Sequence, residues 1–224
     1  MPAKNSRKEY LENGYYHLYN RGVEKRQIFV DLQDYNVFLN YLKIYLLPKN
    51  ITQLENIILS SSSDLKEKDT ARKLLRLNNF SEEITLLAYC LMPSHFHFFV
   101  KQKSAGAIDQ FLNSLGTRYT MYFNRKYARV GPLYQGVYKA TRITTDEQFI
   151  YLTKYLHKQA LVLQGHALQE QPSSYLEYVS KRKSDWVHPE EVLTYFSKSN
   201  SALSYQSFVL ESEDLSVIND IMID

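Results

Sequence analysis

The segment Leu87-Ala-Tyr-Cys-Leu-Met-Pro-Ser-His-Phe-His-Phe-Phe-Val100 limits the possible folds of this chain more than any other. Its aromatic and apolar residues run on both sides of Pro93-Ser94, and such residues suit a pleated, half-buried backbone. The proline interrupts the run once, so the segment predicts two antiparallel strands joined at a tight turn. Side chains alternate along a strand, which sends His95 and His97 to one face and Phe96 and Phe98 to the other. The phenylalanines are expected in the core. Two imidazoles so placed can reach one metal ion and leave part of its coordination shell open. Two histidines satisfied by polar neighbours are the plainer alternative.

A second pattern lies in residues 146–162, where Phe149, Ile150, Leu152, Leu156, Ala160 and Leu161 approximate a helical period. Thr144 or Thr145, followed by two acids, supplies its N-terminus. Positions four apart are neighbours on a helix, so Tyr151, Tyr155 and Gln159 are expected on one polar stripe, with His157 pointing roughly the opposite way. Elsewhere the pattern predicts a first strand near 14–20, a turn at Asn20-Arg21-Gly22 and a helix near 33–46. A partly helical, solvated insertion over 48–82, a helix from about Ala107 to Lys126 and a strand near 136–143 follow. The order β-α-β-β-α-β and then a helix is the ferredoxin-like arrangement, an α+β fold with an antiparallel sheet and helices on one face. A small helical extension is expected after it.

The hydrophobic fraction of 44% excludes wholesale disorder, and a single cysteine, Cys90, excludes an intrachain disulfide and reads as a buried apolar filler. The N-terminus shows no apolar run of signal-peptide length, and no stretch of 18 uninterrupted apolar residues occurs. A cytoplasmic location without a membrane partner is therefore expected. The net charge of +3 hides an uneven distribution. Residues 201–224 hold five acids and no Lys or Arg, which leaves 27 basic against 19 acidic residues in 1–200, a net of +8. Between Gln110 and Thr145 stand Arg118, Arg125, Lys126, Arg129, Lys139 and Arg142 with no acid, interleaved with Tyr119, Tyr122, Tyr127, Tyr134 and Tyr138. Cations meet phosphates and aromatic faces stack on unpaired bases, so nucleic-acid contact is expected here. The alternative is tyrosines that pack in the core with their hydroxyls at its rim.

Met92-Pro-Ser-His-Phe-His97, preceded by Ala88-Tyr-Cys-Leu, resembles the histidine-hydrophobic-histidine motif of single-tyrosine HUH transposases, in particular the REP-associated tyrosine transposases and their insertion-sequence relatives. Tyr16-His-Leu-Tyr-Asn-Arg-Gly22 is similar to that family's first strand and turn. Tyr122-Phe-Asn-Arg-Lys-Tyr127 and Gly131-Pro-Leu-Tyr-Gln-Gly-Val-Tyr-Lys139 are similar to its central helix and next strand, and Tyr155-Leu-His-Lys-Gln-Ala-Leu161 stands in place of its tyrosine helix. The resemblance spans roughly residues 14 to 180. A catalytic domain is expected over 1–165; Pro172-Ser-Ser-Tyr175 and Trp186–Phe196 suggest a helical extension over 166–200, and the acidic tail over 201–224 is expected to be mobile or weakly packed.

The resemblance implies that His95 and His97 are metal ligands, that Tyr155 is the nucleophile, and that Gln159 supplies a third ligand through its amide oxygen. Many REP-associated relatives read Asn-Pro where this chain reads Gln159-Ala160. The implied cofactor is a divalent metal, Mg2+ or Mn2+. The implied partner is single-stranded DNA, often adjoining a hairpin, bound by a monomer or a homodimer. The expected reaction cleaves and rejoins strands through a 5′-phosphotyrosine. The expected DNA contacts are Arg118, Tyr122, Arg125, Lys126, Arg129, Tyr138, Lys139 and Arg142, with Lys154 and Lys158 flanking the nucleophile. His17, on the first strand, either approaches the substrate or packs. A replication initiator or relaxase-type nickase, a zinc hydrolase and a catalytically silent DNA-binding module are the rival readings.

Overall fold

Around the expected hairpin, a computed structural model that describes residues 8–162, 172–211 and 218 builds one antiparallel sheet. Strands β1 (Tyr15–Arg21), β2 (Ile84–Met92), β3 (His95–Gln102) and β4 (Lys139–Ile143) stand in the order β2-β3-β1-β4, the ferredoxin-like order. β4 is shorter than the expected 136–143, because Gly136 takes φ 85° and ends the preceding loop in a turn. The turn after β1 is packed against the hairpin turn: Gly22 N–H donates to Ser94 O at 2.8 Å, and Ile28 N–H to Pro93 O at 2.7 Å. A Cβ at Gly22 would sit 2.4 Å from Arg26 O, so only glycine fits this approach.

The two faces of the sheet bury different layers. Leu18, Phe96, Phe98 and Val100 meet α1 (Leu32–Leu46), and beyond the insertion helices α2 (Ile51–Leu59) and α3 (Leu65–Arg76) they also meet α4 (Ala107–Lys126). On α4 the buried set Ile108, Phe111, Leu112, Leu115, Tyr119 and Phe123 recurs every three or four residues, which makes one apolar stripe. Each such side chain contributes about 1.5–3 kcal/mol when fully buried. α1 starts where Asp31 and Asp34 close a capping box, each side chain accepting from the other's backbone N–H.

The opposite face carries α5 (Asp146–Val162), which packs on Leu87, Ala88, Cys90 and Phe99. A register shift between Leu86 and Ala88 lets Leu87 and Ala88 both join this second core. Thr145 Oγ1 caps the helix by accepting from Gln148 N–H at 3.1 Å, as the threonine pair suggested. Cys90 is buried there as a filler.

The C-terminal extension runs along the free edge of β2. Leu91 N–H donates to Pro172 O, Ser174 N–H to Tyr89 O and His188 N–H to Leu86 O, all within 3.0 Å. Such cover removes an exposed strand edge. Short helices α6 (Tyr175–Tyr178), α7 (Glu190–Leu193) and α8 (Tyr205–Leu210) complete it. Here the expectation of a weakly packed tail from 201 onward is corrected for its first part: Tyr205 and Val209 of α8 are buried against α5. Of the five acids of that tail, Glu213, Asp214, Asp220 and Asp224 lie outside the described residues.

His157 joins the extension to the tyrosine helix. It is fully buried, with Tyr205 Oη at 2.5 Å from Nδ1 and Ser174 Oγ at 2.7 Å from Nε2. Burial, and secondarily the charge of Arg182, holds its pKa down to about 3. An unfolded imidazole titrates near 6.5, so below that pH the unfolded chain takes up a proton that the folded chain refuses. Stability from this group is complete above pH ~6.5 and falls, by up to roughly 1.4 kcal/mol per pH unit, as the pH drops toward the folded value. Denaturant melts at pH 7 and pH 5 are expected to show a steeper loss for the native chain than for His157→Asn.

Candidate active site

Cross-strand register decides which side chains share the α5 face. His97 stands opposite Tyr19, which stands opposite Lys139 of β4; His95 stands opposite Arg21; Phe99 stands opposite His17. Directly opposed residues of an antiparallel pair project to the same side. His17, Tyr19, Arg21, His95, His97 and Lys139 therefore form one polar field between the sheet and α5.

The imidazoles are oriented by their neighbours. His97 Nδ1 lies 2.9 Å from His17 Nε2, and His95 Nδ1 lies 3.0 Å from Ser94 Oγ. His97 and His17 are fully buried. His97 Nε2 is buried with no hydrogen-bond partner among the described residues. In the tautomer that donates from Nδ1, the lone pair of each ring is directed from Nε2. Burial, then the charge of Arg21, brings His95 down to about 4, against an opposing contribution from the Gln159 amide. Burial also carries His97 well below its ordinary value, with His17, His95 and Arg21 adding to the effect. Both rings are neutral near pH 7, the form that ligates metals.

α5 lays Tyr155 over this field. Its ring is 5.5 Å from the His97 ring and 6.2 Å from the His17 ring, edge-on to both, and the side chain is 6% exposed. Gln159, one turn on, approaches His95, yet its Oε1 is buried without a partner at hydrogen-bond geometry. Tyr151 leaves the expected stripe. Its ring packs edge-on against Phe208 of α8 at 5.3 Å. A four-residue step overshoots one turn by about 40°, so three positions spaced by four fan out rather than align.

Residues 62–159, which contain His95, His97, Tyr155 and Gln159, match the family model described as "Transposase IS200 like". The match covers 98 of the 224 residues, somewhat under half of the chain. Among solved structures it is similar to a REP-associated tyrosine transposase bound to a REP hairpin, at 10% identity and a TM-score of 0.47, over 81% of this chain and 95% of that one. It is also similar to a transposase structure from Deinococcus radiodurans R1, at 14% identity and a TM-score of 0.37, over 69% of this chain and 96% of that one. No curated protein matches it. The fold assignment rests on the sheet order itself, and none of the described helices is long and apolar enough to cross a membrane.

The ten expected DNA contacts separate by environment. Arg125, Lys139 and Arg142 are exposed, and Lys139 projects to the histidine face, its Nζ 5.6 Å from the Tyr19 ring. Elsewhere the side chains have partners within the protein. Lys126 Nζ binds Asp31 and Asp34 at 2.7 and 2.8 Å, and the Tyr122 hydroxyl donates to Asp34 at 2.9 Å. Arg118 lies over the Tyr41 ring at 4.0 Å, and Arg129 donates to Asn124 Oδ1 at 2.9 Å. Tyr138 is buried and donates to Asp109. Lys154 is fully buried with Nζ 4.5 Å from the Phe208 ring, and Lys158 Nζ donates to Glu211 O at 3.3 Å. α8 thus covers both lysines that flank Tyr155.

Sequence reasoning left His17 between approaching the substrate and packing, and did not place Arg21 in this site. The signal was available in the alternation of Tyr15-Tyr-His-Leu-Tyr-Asn-Arg21, which puts His17, Tyr19 and Arg21 on one face. Among the described residues no group of three or more His, Cys, Asp or Glu converges as a metal site, so a divalent ion here would need the amide of Gln159. The residues fit that role: two neutral imidazoles offer Nε2, and two of the candidate donor atoms, His97 Nε2 and Gln159 Oε1, are buried and unpartnered. On this arrangement His97→Ala is expected to abolish Mn2+ binding in calorimetry. His17→Phe, which removes the group that orients His97, is expected to weaken it by roughly 10- to 100-fold with the thermal melt preserved.

Proposed function

We propose that this chain cleaves and rejoins single-stranded DNA at hairpin-adjacent sites through a 5′-phosphotyrosine. The observation that carries the reading is Tyr155 edge-on over His97, with Gln159 one turn away and beside His95. The Tyr155 oxygen attacks the scissile phosphorus in line with the departing 3′-oxygen. One P–O bond forms and one breaks, and the phenolic proton ends on the 3′-hydroxyl. Because the new ester is also a phosphodiester link, a second 3′-hydroxyl reverses the step onto another strand without a nucleotide cofactor.

His95, His97 and Gln159 would hold Mg2+ or Mn2+. When bound, that ion supplies Lewis-acid neutralisation of the phosphate and favours the phenolate of a group that is ordinarily protonated at neutral pH. His17 keeps His97 in one tautomer. The second hydrophobic cluster, including Phe99 and Phe149, walls the site and excludes water, which would otherwise compete with the 3′-hydroxyl for the ester. Hairpin-adjoining DNA follows from the family resemblance, and the exposed cations Lys139, Arg125 and Arg142 offer phosphate contacts.

Incubation with a pool of single-stranded hairpin oligonucleotides is expected to give a covalent adduct visible on denaturing gels. EDTA and Tyr155→Phe should each abolish it, while Tyr151→Phe should retain it; an adduct that survives in Tyr155→Phe overturns the assignment. Lys139→Ala is expected to leave stability within about 0.5 kcal/mol. It should also reduce the salt slope of single-strand binding by about 0.7. Lys126→Met, which strands the buried Asp34 carboxylate, should instead cost roughly 2–3 kcal/mol in a denaturant melt.

A further inference from the structure

We propose that Arg21 binds the scissile phosphate as a further catalytic residue, a role that rests on the strand-transfer reading above. Arg21 ends β1 directly opposite His95, so its side chain enters the field between the sheet and α5. The strand end is held in place: Arg21 N–H donates to Asn20 Oδ1 at 2.9 Å, and Gln135 N–H donates to Arg21 O at 2.8 Å.

What distinguishes this arginine is a half-buried side chain without a counter-charge, whereas Arg76, Arg125 and Arg142, which also lack one, are exposed to solvent. Among the described residues Arg26 pairs with Glu24, Arg72 with Asp69 and Arg182 with Glu177, and Arg118 lies on Tyr41. Arg21 takes part in no ion pair there, and its Nε is buried without a hydrogen-bond partner. A half-buried guanidinium beside two neutral imidazoles is costly to hold without an anion. Its planar fork of donors matches two oxygens of one phosphate.

The chemistry calls for a cation at this place. As Tyr155 attacks and the 3′-oxygen departs, negative charge spreads over the non-bridging oxygens and the leaving oxygen. Arg21 stabilises that charge and neither gains nor loses a proton. The phenolic proton still passes to the 3′-hydroxyl, so the balance of the reaction is unchanged.

The test uses the full chain and an oligonucleotide captured as its adduct. Arg21→Gln is expected to slow single-turnover adduct formation by about 100-fold, with Arg21→Lys between it and the native chain and the melting temperature unchanged. On the same oligonucleotide with a neutral methylphosphonate at the scissile position, the Arg21→Gln loss should shrink to about threefold or less, because no charge remains for the guanidinium to meet. In the Tyr155→Phe background, affinity for the two linkages carries the same comparison where the neutral linkage reacts too slowly to time. Equal losses on both linkages, or a native rate for Arg21→Gln, overturn the role of Arg21 alone. A native chain that forms no adduct with any hairpin overturns the strand-transfer reading and this inference together.

Discussion

The pairing register between β1 and β3 is the constraint on which the rest depends. A slip of one residue would rotate every β1 side chain to the other face. Leu18 would leave the core shared with Phe96 and Phe98, and His17, Tyr19 and Arg21 would leave the histidine field. Burial on the helical face fixes the register, and Gly22 against Ser94 pins its end. The same apolar packing that stabilises the domain therefore positions the polar groups on the reverse of the sheet. Function here is a by-product of alternation.

That reverse face is desolvated, and desolvation sets its chemistry. Burial is the first cause of the low basicity of His95 and His97, ahead of any neighbouring charge. Imidazoles kept neutral offer lone pairs, and a dry site strengthens each electrostatic contact within it. α5 and the extension supply the cover. The hydrogen bonds of His157 to Tyr205 and Ser174 tie α5, which carries Tyr155, to segments that also shield the edge of β2. Loosening the extension would hydrate the imidazoles as well as destabilise the fold.

Much of this was legible in the chain because local rules and tertiary packing agree. The hairpin at Pro93-Ser94, the helix over 107–126 and the Thr145-capped helix over 146–162 follow from periodicity and end signals, and each is formed. The faces of Phe96 and His97 follow from alternation alone. What local pattern does not carry is partnership across the fold. Residues 110–145 contain no acid, so Lys126 reads as unpaired, yet Asp31 and Asp34 reach it from the start of α1. Lys154 reads as a DNA contact beside Tyr155, yet α8, some fifty residues on, buries it against Phe208. Tyr151 was separated from Tyr155 by the same contact. His17 and Arg21 gained their meaning only when β1 was placed beside β3.

The charge distribution then sharpens what the polar field can receive. Lys126, Arg129 and Arg182 already have oxygen partners, and Arg118 has an aromatic one, so they are poor candidates to hold a ligand's phosphates. Arg21 and Lys139 remain on the histidine face, two residues apart in cross-strand register through Tyr19. No acidic side chain forms an ion pair with either among the described residues. A metal dication would add to that positive excess rather than relieve it. Neutral donors such as imidazole and amide hold such an ion beside two cations more tightly when an anion completes the set, and a phosphate of the proposed substrate would be such an anion. Metal and substrate should thus bind with mutual reinforcement, each supplying charge that the other needs.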